Sequence, residues 1–207
     1  METNQILFIT ASLALIVSPG PDNILVLTRG IAQGRAAALV SATGASLGVI
    51  VHSALAAVGL SALLAQSAMA YGVVKYVGAA YLIYLGVRAL LGKESFVTGK
   101  KKPDSGLKSI FLQALATDVL NPKVALFFIA FLPQFTVPGA GSAALQLMTL
   151  GLTFALLTLM VFGTIGYFSG ALGGWLGTRP AFANGLRWLT GSVLLGLGLR
   201  LALPERR

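Results

Sequence analysis

Apolar runs of near twenty residues alternate with short polar interruptions, and the alternation continues from one end of the chain to the other. A helix rises 1.5 Å per residue, so roughly 20 mainly apolar residues cross a hydrocarbon core about 30 Å thick. Six stretches have that length and character: about 5–27, 37–64, 69–91, 108–133, 143–170 and 186–203. The largest connection, 92–107, is polar and basic, running from Gly92-Lys93-Glu94 through Lys100-Lys101-Lys102 to Pro103-Asp104. The pattern predicts an all-α, polytopic membrane protein with about six transmembrane helices, forming a single domain over 1–207.

The basic loop divides the chain into two sets of three helices, repeat one at about 1–91 and repeat two at about 108–207. An odd number of crossings gives two such halves opposite orientations, the inverted-repeat plan of many transporters. In each half the first helix is interrupted near its middle, at Ser18-Pro19-Gly20-Pro21-Asp22-Asn23 and at Asp118-Val119-Leu120-Asn121-Pro122-Lys123. Proline removes a backbone donor and collides with the preceding turn, at ~3 kcal/mol or more, so both helices are expected to break. Backbone groups freed in lipid must be satisfied by protein or must line a cavity. After each break the residues read as a new helix start: Asn121 as N-cap with Pro122 in first position, and Asp22 or Asn23 capping a stretch that begins at Ile24. Such an end, with unpaired N–H groups and a positive dipole, suits a carboxylate.

Composition strengthens the membrane reading. Charged residues are 10% of the chain and strongly apolar ones 56%, against about 25% charged in a soluble domain. Of the six acidic residues only Asp22 and Asp118 fall inside the six spans, each beside a break. An intramembrane carboxylate costs ~2.5–3.5 kcal/mol on insertion scales and by default marks function; here it would meet an ammonium group or carry a proton. Lys123 is either their counter-ion or a substrate contact. Lys75, close to its helix start, is expected to snorkel outward. His52, the single histidine, is a candidate proton relay, with a plain hydrogen bond to a neighbour as the alternative. Tyr81 and Tyr84 read as packing or interface residues. The pairs Gly30/Gly34, Gly44/Gly48 and Gly166/Gly170 allow close helix approach and fit a homodimer.

Several classes are excluded. With no cysteine there is no disulfide framework, thiolate metal site or cysteine nucleophile. The net charge of +9 comes from basic residues between apolar runs, without an aromatic-basic stripe, and so reads as membrane orientation rather than nucleic-acid binding. Ten basic residues fall on one side: Arg29, Arg35, Arg88, Lys93, Lys100, Lys101, Lys102, Lys108, Arg179 and Arg187. Connections 65–70 and 134–142 contain none, which makes the basic side cytoplasmic and both termini periplasmic. Met1 to Gln5 has no basic n-region, so the first helix is expected to stay in the protein. Gly44-Ala45-Ser46-Leu47-Gly48 matches a serine-hydrolase elbow, but on one helix Ser46 and His52 stand ~9 Å apart along the axis and about 120° around it. No enzyme and no cofactor is implied, and the lack of a phosphate loop points to secondary transport.

Pro19-Gly20-Pro21-Asp22-Asn23, Gly34-Arg35, Gly44 and Gly48 with His52, the run Lys75 to Gly86, Leu120-Asn121-Pro122-Lys123 and Phe131-Leu132-Pro133-Gln134-Phe135 together resemble the LysE/RhtB family of bacterial amino-acid exporters. The likeness extends over nearly the whole chain in the family's order. It implies export of amino acids or derivatives across the inner membrane, driven by the proton motive force, with amino acid, proton and lipid as partners. Two acids are few for a cationic substrate, which favours neutral amino acids. The competing classes are a passive channel for small solutes and a non-transporting scaffold subunit.

Overall fold

The computed structural model describes residues 2–60, 68–91, 106–137, 139–171 and 180–203. Among them about 90% are helical and none forms a strand. The helices are α1 (Glu2–Val17), α2 (Pro21–Gln33), α3 (Arg35–Leu55), α4 (Ala68–Leu91), α5 (Leu107–Val119), α6 (Pro122–Leu126), α7 (Ala143–Tyr167) and α8 (Pro180–Ala202). A π-helical turn, Ala56–Leu60, continues α3; another, Phe127–Phe131, and a 3-10 turn, Leu132–Phe135, continue α6.

Arg35–Gly59 and Ala143–Tyr167 are each 25 residues long and apolar enough to cross a membrane. Two further spans are bent pairs: α1 meets α2 at 55°, and α5 meets the segment Pro122–Phe135 at 44°. Both predicted breaks are therefore present. Helices α4 and α8, of 24 and 23 residues, reach about 35 Å and are long enough to span as well. The result is a polytopic helical membrane protein, and large apolar side chains such as Leu55, Val58, Leu145 and Met160 point outward on its surface.

Boundaries shift where turn chemistry overrides hydropathy. The first run does not end at 27 but continues as helix to Gln33, and Gly34, at φ +86°, turns the chain within one residue into α3. The fifth helix ends at Tyr167 rather than 170, and the last begins at Pro180, six residues before the apolar run at 186. The end of the second run, 61–64, the first part of the connection after it, 65–67, the central basic segment 92–105 and Arg179 lie outside the described residues.

Helix α3 packs against α2, α5 and α7 and is the central element, while α4 and α8 form a close pair. Glycines set these approaches. A Cβ on Gly44 would lie 2.6 Å from the Phe111 carbonyl, and one on Gly48 would lie 2.5 Å from Asp118 Oδ2, so α3 and α5 meet along that pair. Gly86 and Gly191 do the same for α4 and α8, each placing its Cβ position 2.9 Å from the other's carbonyl oxygen. Gly30 faces Ser169 and Gly166 faces Ala38. Of the three glycine pairs, Gly44/Gly48 serves a contact within the chain at both positions, while Gly34 and Gly170 meet no neighbouring atom within 4 Å.

Two charged residues depart from expectation. Lys75 is buried, 8% exposed, instead of snorkelling; it shares a helical face with Gly78, Ala79 and Leu82, the face that α4 turns toward Phe127–Phe131. Arg29 is no loop charge: it is buried in α2, donating through Nη1 to Gln33 Oε1 at 2.6 Å and through Nη2 to Gln113 Oε1 on α5. Aromatic residues fill the core, with the Phe127 ring tilted against those of Phe131 and Phe154 at centroid distances of 4.9 and 5.3 Å.

Candidate functional site

Each proline of the breaks leaves a carbonyl four residues upstream without its helical donor, and the identities of those carbonyls build the site. Pro19 frees Leu15 O, and the extended backbone at Gly20 (φ −169°, ψ 177°) frees Ile16 O. Neither is left bare. Asn23 Nδ2 donates to Ile16 O at 2.7 Å, and Lys123 Nζ reaches across from α6 to donate to Leu15 O at 3.1 Å and Ser18 O at 3.0 Å. In the second half Pro122 frees the carbonyl of Asp118, which accepts from Asn121 N at 2.9 Å and has His52 Nε2 3.1 Å away. A carbonyl only accepts, so Nε2 of His52 carries the proton in this contact.

The restarts differ. Asn121 is the N-cap of α6 as the sequence suggests: its Oδ1 accepts from Lys123 N at 3.0 Å, and Pro122 occupies the first helical position. Helix α2, however, starts at Pro21 rather than Ile24, with Gly20 as an N-cap that makes no side-chain bond. Asp22 and Asn23 therefore sit inside the first turn and do not cap it. The fixed φ of proline suits that first position.

The two breaks are stitched together. Asn121 Nδ2 donates to Asp22 Oδ2 at 2.5 Å, joining the start of α2 to the cap of α6. Asp22, Asp118 and Lys123 are all buried, at 2%, 1% and 6% exposure, and all three line one cavity. Asp22 Oδ1 and Asp118 Oδ2 are buried without a hydrogen-bond partner. The rest of the wall is largely apolar, from Val49, Val124, Phe154 and Phe162, with Thr158 as the remaining polar side chain. The cavity is about 10 Å³, roughly the room of one water molecule. In this conformation the charged groups are buried around a space too small for a solute.

By helix register the carboxylates are not equivalents. Asp22 is the second residue of α2 and Lys123 the second of α6, whereas Asp118 precedes its break in the last turn of α5. Opposite charges therefore occupy the matching positions. Of the other expected residues, Pro19 is half-buried, Gly20 buried, and Pro21 and Pro122 exposed at the outer side of their turns. His52 is buried beside Phe128, with ring centres 5.9 Å apart, and bonds the backbone of Asp118 without lining the cavity. Tyr84 faces outward at 55% exposure, as a packing or interface residue would. Among the described residues no group of three or more metal-ligating side chains exists.

Two features escaped the sequence reading. The Leu15 and Ser18 carbonyls were legible in principle, since counting four back from Pro19 gives Leu15. The Arg29–Gln113 tie carried only a weak signal: Arg29 is two turns from Asp22 on one face of α2.

A family model described as LysE type translocator matches residues 13–205. An uncharacterized membrane protein of Pseudomonas aeruginosa is 32% identical over 91% of this chain and 89% of its own length. A leucine efflux protein of Enterobacter sp. is 30% identical over 94% of this chain and 93% of its own. A homoserine/homoserine lactone efflux protein of Salmonella typhimurium is 28% identical over 94% of each. No solved structure matches the chain.

Proposed function

The chain belongs to the LysE type translocator family, and from that premise we propose that it exports amino acids or their derivatives across the bacterial inner membrane as a secondary, proton-coupled antiporter. The observation that carries the mechanism is the convergence of Asp22, Asp118 and Lys123 on one small cavity where two broken helices meet. One ammonium and two carboxylates, two of whose oxygens are unpartnered, provide a matching group for each end of a zwitterion. Lys123 would take the substrate carboxylate, and a carboxylate of the pair would take its ammonium group or, in the return half of the cycle, a proton.

The apolar remainder of the wall, with Thr158, favours a neutral side chain. The names of relatives fit this: one is called a leucine and another a homoserine efflux protein. An amino acid does not fit a cavity sized for one water, so transport requires the helices to part, as alternating access between the two three-helix halves provides. Along the sequence the basic residues assigned to the cytoplasmic side, other than Arg29, fall in or beside the connections between apolar runs, which supports a periplasmic placement of both termini.

The test is uptake of labelled neutral amino acids into proteoliposomes under an imposed pH gradient. Wild type should concentrate substrate, and Asp22→Asn and Asp118→Asn should lose that response while remaining folded in the membrane. Equal accumulation with and without the gradient would make the protein a passive channel. Normal gradient-driven export by both variants would remove the carboxylates from coupling.

A further inference from the structure

The hydrogen bonds of Lys123 do not go to the carboxylates beside it. Its buried ammonium donates to two backbone carbonyls, Leu15 O and Ser18 O, at the C-terminal end of α1. That end carries the negative pole of the helix dipole and carbonyls released by the break. In broken transporter helices, unwound carbonyls and half-helix C-termini are the groups that hold alkali cations. We propose that the end of α1 is a monovalent-cation site and that the tethered ammonium of Lys123 is its resident cation, so that the protein needs no dissolved Na⁺ or K⁺.

Three observations beyond the two hydrogen bonds point this way. The first turn of α2, which faces the end of α1 through the Asn23–Ile16 bond, carries two further buried oxygens without partners, Asp22 Oδ1 and Asn23 Oδ1. Buried oxygens without donors thus stand in the turn that adjoins the end of α1, and Asn23 Oδ1 lies 3.8 Å from the same Gly20 Cβ position that Nζ approaches, an oxygen-rich setting of the kind hard cations use. The ammonium lies close against Gly20: a Cβ there would stand 2.9 Å from Nζ and 3.3 Å from Cε, so a side chain at that position would displace it. Lys123 is also held from its own backbone, whose N–H is bound by the Asn121 cap at 3.0 Å. The ammonium is therefore delivered by a fixed backbone to a prepared set of acceptors.

The site is the one assigned to export above, and the cation assignment can fail separately because its main readout is stability in the absence of substrate. Thermal unfolding of the full-length detergent-solubilised protein is measured in NaCl, KCl and choline chloride at equal ionic strength. Wild type should unfold at the same temperature in all three. Lys123→Ala should unfold at a lower temperature in choline, and saturating Na⁺ or K⁺ should raise it by roughly 5 °C through preferential binding to the folded state. Lys123→Met, which keeps the stem without the charge, replaces it if the alanine variant does not fold. In proteoliposomes, wild-type export should be unchanged when Na⁺ and K⁺ are exchanged for choline. Selective stabilisation of wild type by Na⁺ or K⁺ would overturn the proposal, as would a folded Lys123 variant that gains nothing from any alkali cation. An export failure with the stability pattern intact would count against the transport reading alone.

Discussion

Single residues decide this site through backbone groups as much as through charge. Asn121 does two jobs, accepting from Lys123 N and donating to Asp22 Oδ2, and the jobs separate by substitution. Asn121→Ala should lose about 1 kcal/mol of cap stability and weaken export. Asn121→Ser restores a capping oxygen but cannot reach Asp22 as an amide does. It should therefore recover most of the unfolding temperature while export stays low, and parallel recovery of both would mean the Asp22 contact has no transport role. Gly48 tests the same neighbourhood by shape. An added methyl would stand 2.5 Å from Asp118 Oδ2, so Gly48→Ala should destabilise by about 1–3 kcal/mol and impair export without changing any charge. At Gly163, where a Cβ meets nothing within 4 Å, the same change should be neutral in both assays.

Among elements, the broken helices are the ones that the sequence exposes most clearly, and also where it misled. Their positions follow from proline chemistry, and Asn121-Pro122 reads correctly as a cap and first residue because both signals agree. At the other break the polar pair Asp22-Asn23 looked like a cap, but Pro21 already supplied a helical φ and drew the start forward. The bend itself is testable. Pro122→Ala returns an N–H that can close onto the Asp118 carbonyl, the acceptor used by Asn121 and His52. The 44° bend should relax, the unfolding temperature should hold or rise, and export should fall roughly tenfold. Full export from a variant whose helix has straightened would show that the break is dispensable.

For the whole molecule the governing fact is that the charged groups are enclosed by elements from both halves of the chain. Asp22 comes from α2, Asp118 and Lys123 flank the second break, and Phe154 and Thr158 belong to α7. A solute passes only if these elements separate. The chain has no cysteine, so Thr158→Cys introduces a single thiol on the wall. Its labelling by a thiol reagent should be slow at rest, Thr158 being 2% exposed, and should speed up when substrate drives cycling. A labelling rate indifferent to substrate would argue against opening at this wall.

Periodicity, composition and proline placement by themselves determined the membrane class, the helical spans and the two breaks, because each depends on local backbone chemistry and on the solvent around it. The two carboxylates inside the spans were legible for the same reason, whereas Arg29, beyond the apolar run that ends near 27, was not. What only the tertiary structure decided is which groups meet. Lys123 binds the end of α1 across 105 and 108 residues of sequence, Asn121 binds Asp22 across 99, and Lys75 and Arg29 are buried rather than exposed. Those pairings depend on helix rotation and close packing at glycines such as Gly48 and Gly20, and no one-dimensional pattern records how one helix is turned against another.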